Sequence, residues 1–272
     1  EGAAPVAPEA VPTTAAPPGV AHPSPAATSA GPPPPPRPLA LRLTLLPEWG
    51  FRAFRDKEPV GEDKSYTASG VPIVGGRAEL YPIALAADVP EELKNIGITV
   101  NYARALGIKS RDIDTDIEVD AQWYQFGFGF RYRMLGGDNP LAIGITAGVQ
   151  RSVFDFETTP AGRPVALGRY TILPLGFDIR RSWDRFSLFG DARFLLPITV
   201  SPPGDRTPGG GRYGFSVALA TAFSITRMFE IEARATYSMV SYQLPSGIAT
   251  SSRSSSIYDE ALTFGLGGSF LF

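Results

Sequence analysis

An all-β chain closed into an antiparallel transmembrane β-barrel of about ten strands is the fold that this sequence predicts, and three observations predict it. From Leu39 to Phe272 apolar residues recur at every second position, not with a helical period. The connections between these segments alternate, compact after every second one and mostly longer after the others. One face of the segments gathers arginines and carboxylates while the other gathers Phe, Leu, Ile and Val, a division suited to strands with lipid on one side. Eight or twelve strands stay open as alternatives.

The segments follow in order. The first, Leu39 to Phe54, sets Leu41, Leu43, Leu45, Trp49 and Phe51 against Arg42, Thr44, Glu48 and Arg52. The second, about Ile73 to Ala86, has a thin apolar face opposite Arg77, Glu79 and Tyr81, and the third, Ile96 to Ile108, alternates Ile96, Ile98, Val100 and Tyr102 with small and polar residues. In the fourth, Ile117 to Met134, the phase changes: Glu118, Asp120 and Gln122 share one parity, and Phe126, Phe128 and Phe130 then take it while Arg131 and Arg133 fall on the other. One extra residue flips a pleat, so a bulge near Trp123 and Tyr124 is expected to keep all the charges on one face. The fifth to ninth segments, Leu141 to Phe156, Tyr170 to Arg180, Arg185 to Val200, Tyr213 to Ile225 and Phe229 to Leu244, add Asp178, Arg180, Asp191, Arg193, Glu230, Glu232 and Arg234 to the polar face.

The connections Leu135 to Asn139, Arg181 to Asp184 and Thr226 to Met228 are compact, whereas Arg55 to Pro72, Thr158 to Gly168, Ser201 to Arg212 and Pro245 to Ile257 are long. Short turns at one rim and long loops at the other, with an even strand count, put both termini on the short-turn side.

The tenth segment, Leu262 to Phe272, places Leu262, Phe264, Leu266, Phe270 and Phe272 on one face and Thr263, Gly265, Gly267 and Ser269 on the other. An alternating strand that runs to a terminal Phe resembles the closing strand of Gram-negative outer-membrane barrels. That resemblance implies that Phe264, Leu266, Phe270 and Phe272 form the signature read by the barrel-assembly machinery, and that the protein sits in outer-membrane lipid. It also implies that the short-turn rim, with both termini, is periplasmic. Glu1 in place of Met fits a mature form after loss of a signal peptide.

With the polar face inward, the expected lumen lining is Arg42, Glu48, Arg52, Arg77, Glu79, Glu118, Asp120, Arg131, Arg133, Asp178, Arg180, Asp191, Arg193, Glu230, Glu232 and Arg234. The two signs are equal in number. Unpaired charge is costly in a water-poor lumen, so cross-strand ion pairs that plug the tube are the favoured reading, and a narrow channel is the alternative. A soluble barrel would need the large Phe set inside and has no use for aromatic residues at the strand ends.

Residues 1–38 are built almost wholly from Pro, Ala, Gly, Ser, Thr and Val, with a proline run from Pro32 to Pro36. They cannot bury enough apolar surface to offset chain entropy and read as a disordered extension of the barrel domain, residues 39–272. Such an arm is expected either to reach a periplasmic or envelope-complex partner, anchoring a secretion, export or motility assembly, or to be a passive spacer.

Several chemistries are expected to be absent. A net charge of −2 offers no footprint for nucleic acid. There are no cysteines, and the single histidine, His22, lies in the extension, so cysteine nucleophiles, thiolate metal sites and barrel-wall histidines are all missing. The expectation is a non-enzymatic barrel without a cofactor. Asp112, Asp114 and Asp116 alternate ahead of Glu118 and read as a solvated acidic rim, with a weak Ca²⁺ site as the less favoured reading. Neither Gly209 to Gly211 nor the run Ser251 to Ser256 has a catalytic context.

Overall fold

The computed structural model describes residues 40–57, 64–86, 88–112, 118–135, 141–156, 168–201, 212–243 and 256–272. The extension 1–38, the acidic residues 113–117, the glycines 209–211 and the serine run 251–255 lie outside the described residues.

The strands are β1 (Leu41–Lys57), β2 (Lys64–Leu80), β3 (Ile96–Ala105), β4 (Ile108–Asp112), β5 (Glu118–Leu135), β6 (Leu141–Phe156), β7 (Gly168–Trp183), β8 (Phe186–Ser201), β9 (Arg212–Thr226), β10 (Phe229–Gln243) and β11 (Ser256–Leu271). One helical turn, α1 (Glu91–Lys94), precedes β3. All the pairings are antiparallel, and β1 pairs with both β2 and β11, so the sheet closes on itself. Because β3 and β4 lie in succession between β2 and β5, they make one wall position, and the barrel has ten staves.

The break in that stave is a bulge. Arg104 faces Tyr124 and Ile108 faces Ala121, so Ala105 to Gly107 oppose only Gln122 and Trp123. Gly107 absorbs the extra residue at φ 62°, and the Leu106 N–H donates to the Pro72 carbonyl at 2.8 Å. The bulge expected in β5 therefore sits on the neighbouring strand. From Asp120 to Arg133 the pleat of β5 is unbroken: Ala121, Trp123, Gly127, Gly129 and Arg131 point in, while Asp120, Gln122, Tyr124, Phe126 and Phe130 point out.

What changes along β5 is the medium. The lower end of the barrel is the rim with the turns Asp184–Arg185 and Arg227–Met228, and the upper end is the opposite rim. Around the lower and middle wall the outer face exposes Leu45, Phe128, Phe130, Phe177, Leu219 and Leu266. Toward the upper rim the outer face instead carries Arg55, Arg104, Lys109, Asp120, Arg151, Asp155 and Glu260. Aromatic pairs border the apolar belt: Phe229 with Phe270 at 5.0 Å and Trp183 with Phe186 at 6.1 Å below, Phe51 with Phe264 at 6.4 Å and Phe215 with Tyr237 at 5.7 Å above.

The same change of medium explains why strands run past their expected ends. The segment Arg55 to Pro72 is largely strand, with Asp56 paired to Lys64, and β11 begins at Ser256, ahead of the Leu262 start that the sequence suggests.

Candidate functional site

The interior has two storeys. In the lower one the arginine and carboxylate side chains from six strands meet on the axis. Arg42 of β1 donates to Glu230 at 3.2 Å and to Glu232 at 3.0 Å, both on β10. Arg180 of β7 reaches Glu230 from the other side at 2.7 Å. Phe189 of β8 lies between these two guanidiniums, its ring centre 4.9 Å from Arg42 and 4.5 Å from Arg180. Arg131 of β5 joins Glu79 of β2 at 3.0 Å, the Tyr81 hydroxyl at 2.7 Å and, through two N–H groups, the Asp178 carboxylate. Tyr81 is fully buried at the lower mouth, with Arg133 stacked 3.7 Å from its ring centre. Gly97 makes room for that ring, since a Cβ there would stand 2.5 Å from it.

Higher on the same axis, Asp191 of β8 accepts from Arg234 at 2.6 Å and Arg193 at 3.1 Å, and lies 3.9 Å from Arg77. Arg234 also approaches Glu232 at 3.5 Å. Glu48 lies near this group beside Thr263, Arg234 and Arg77.

The upper storey is apolar. Phe54, Ile73, Trp123, Phe154, Tyr170, Ile172, Leu195, Tyr242 and Ile257 form one buried cluster across the tube, with Tyr170 and Tyr242 edge to face at 5.6 Å. An ion pair is set in it: Arg52 donates through two N–H groups to Asp259, with its guanidinium over Phe154 at 4.3 Å and Trp123 at 5.1 Å. A cavity of about 420 Å³ lies between the storeys and reaches into both, bordered by Arg42, Arg131 and Arg180 below and by Arg52, Trp123 and Tyr170 above, with neutral residues such as Asn101, Gln125, Gln150, Ser216 and Thr236 between.

Arg42, Glu48, Arg52, Arg77, Glu79, Arg131, Arg133, Asp178, Arg180, Asp191, Arg193, Glu230, Glu232 and Arg234 thus all face inward. Asp120 does not. It lies exposed on the outer face of β5, because the pleat there never flips and the strand end stands in the polar upper zone. Glu118 shares its parity, and the Glu118 side chain lies outside the described residues. Asp259, Phe189 and the upper aromatic cluster were not foreseen. Asp259 lies N-terminal to the alternation that marks the closing strand, and Phe189 reads as lipid-facing until Asp191 and Arg193 fix its parity. Phe264, Leu266, Phe270 and Phe272 are exposed on the outer face. Among the described residues no cluster of His, Cys, Asp and Glu is arranged to hold a metal ion.

No family model matches this chain. No curated protein matches it either. Solved structures do. Escherichia coli OmpT, described as an outer membrane protease, shares 14% identity over 86% of this chain and 97% of its own, with a TM-score of 0.59. The Pseudomonas aeruginosa outer membrane protein OprG matches at 11% identity over 86% and 97%, with a TM-score of 0.38. Neisserial surface protein A matches at 10% over 85% and 97%, with a TM-score of 0.30. The chain has the fold of Gram-negative outer-membrane β-barrels. The expectation of a non-enzymatic barrel is corrected by the first of these likenesses: this architecture carries a protease in another protein, so inactivity does not follow from the fold.

Proposed function

We propose that this chain is an integral barrel of the Gram-negative outer membrane that acts as a closed scaffold, a structural or partner-binding component of the cell envelope. The observation that carries this reading is the filling of the lumen from both ends. Water crossing the tube has to pass the Arg42–Glu230–Arg180 and Arg131–Glu79 contacts below and the Phe54, Trp123, Phe154 and Tyr170 cluster above. Opening either storey leaves charges or aromatic surface without partners, which costs several kcal/mol.

In this reading the rim with the turns Asp184–Arg185 and Arg227–Met228 faces the periplasm, and the barrel-assembly machinery meets the outward Phe264, Leu266, Phe270 and Phe272 during insertion. Residues 1–38 then extend into the periplasm. At about 3.1 Å per residue, a polyproline-like arm of this length reaches on the order of 100 Å. That span lets it engage a periplasmic or envelope-complex partner, so that the barrel anchors an envelope-spanning assembly for secretion, export or motility.

A second reading, a narrow channel for small solutes, draws on the 420 Å³ cavity at mid-height. Planar-bilayer recording separates the two. The closed scaffold gives no stable single-channel steps, and Trp123→Ala combined with Phe154→Ala creates them or raises leakage. Steps of uniform size from the unaltered protein overturn the closed reading.

A further inference from the structure

Among the described residues of the lower storey, the floor of the mid-barrel cavity, seven inward arginines, Arg42, Arg77, Arg131, Arg133, Arg180, Arg193 and Arg234, face six inward carboxylates, Glu48, Glu79, Asp178, Asp191, Glu230 and Glu232. Arg77, Arg193 and Arg234 converge on the one carboxylate of Asp191, at 3.9, 3.1 and 2.6 Å. The acid is the more deeply set partner, with 10% of its side chain accessible, whereas Arg77 and Arg193 keep 31% and 24% accessible to the cavity. A guanidinium presents five donors in a rigid fork, so one carboxylate cannot satisfy three of them. The Nε–H of Arg193 is buried and, among the described residues, has no hydrogen-bond partner. The nearby acids are themselves shared: Glu79, 4.0 Å from Arg77, is held at 3.0 Å by Arg131, Glu232 is shared with Arg42, and Glu48 makes no ion pair within 4 Å among the described residues.

The roof of the same cavity is of the opposite character. Ile73, Trp123, Ile172 and Leu195 of the apolar storey look down into it, and its volume of about 420 Å³ lies within the range of small-molecule pockets. We infer that this cavity is a binding site for a small organic anion, a carboxylate carried on an aromatic or branched apolar body, with its oxygens on Arg77 and Arg193 and its body under Trp123 and Ile172. A carboxylate offers two acceptor oxygens to the underused donors, and an apolar body replaces water against the roof. Inorganic phosphate satisfies the floor but not the roof, and an organic amine the roof but not the floor. The inference holds for a closed or a conducting barrel alike.

The full chain, folded in detergent micelles, is titrated with fluorobenzoate and the bound fraction is read by fluorine NMR, with fluorobenzylamine and inorganic phosphate as comparison probes. Fluorobenzoate is expected to bind saturably and more tightly than either. Arg193→Gln should weaken it by about tenfold, the loss of one charge-assisted hydrogen bond. Asp191→Asn removes the competing carboxylate and should tighten it by a similar factor. A merely structural role for the cluster predicts that both substitutions move affinity in the same direction or not at all. Saturable binding that is absent from the unaltered protein and from Asp191→Asn overturns the inference, as does equal binding of fluorobenzylamine. Phosphate binding tighter than fluorobenzoate overturns the apolar half of the site. If Arg193→Gln fails to fold, as judged by heat-modifiable migration, Asp191→Asn alone decides.

Discussion

Below the level of Trp49 and Phe264 the barrel wall is polar within and apolar without, and toward the upper rim the arrangement reverses. The strands are the same strands throughout. β5 carries Phe126, Phe128 and Phe130 outward with Gly127, Gly129 and Arg131 inward, then, without a change of parity, Asp120 and Gln122 outward with Ala121 and Trp123 inward. The difference teaches that a residue's place is set by what lies outside the wall at its height. Where lipid covers the outer face, apolar side chains lose nothing by facing outward, and the interior is free to be ionic. Where water covers it, the hydrophobic effect draws the large apolar groups inward, as in a soluble barrel.

The two storeys are therefore held by different forces, and substitutions should tell them apart. The largest effect is expected at Glu230, buried beside Arg42, Arg180 and Ser224. Glu230→Ala leaves two guanidiniums without their shared acceptor and should destabilise the fold by about 3–5 kcal/mol in urea titrations of the barrel in lipid. Next comes a pair of identical substitutions at different heights. Phe154→Ala empties part of the upper core and should cost about 3 kcal/mol, whereas Phe130→Ala on the outer belt should cost less than about 1 kcal/mol in the same titration. Equal losses would break the two-storey description. The smallest effect belongs to the outer ion pair of Arg169 with Asp155 near the upper rim. Asp155→Asn should change stability by less than about 1 kcal/mol, and the change should vanish in high salt.

Much of this was legible in the sequence. The period-two pattern over Leu41–Leu46, Phe126–Arg133 and Leu262–Phe272 depends only on which residues alternate, and it set the staves and the inward charges of the lower storey. The upper storey was harder to read, because the sequence does not mark where the outer medium changes. Alternation of the opposite polarity reads either as a flipped pleat or as loop, which is why Asp120 was expected inside and why Tyr258, Asp259 and Glu260 were left out of the wall. The bulge at Gly107 carries a signal only once its partner strand is known, since a lone Leu106–Gly107 step fits a turn as well. The cavity was not visible at all. Its floor needs β2, β8 and β10 to meet on one axis, and pairing within each strand's own polar face says nothing of that convergence.

The three tryptophans sample three of these surroundings. Trp49 looks outward at the upper edge of the apolar belt, Trp183 outward at the lower edge, stacked on Phe186, and Trp123 inward under the Arg52 guanidinium. The chain thus carries its own optical labels: light emitted by two of them reports on the lipid at either border, and light from the third reports on the space within, so insertion and closure can be watched as separate events in one unlabelled protein.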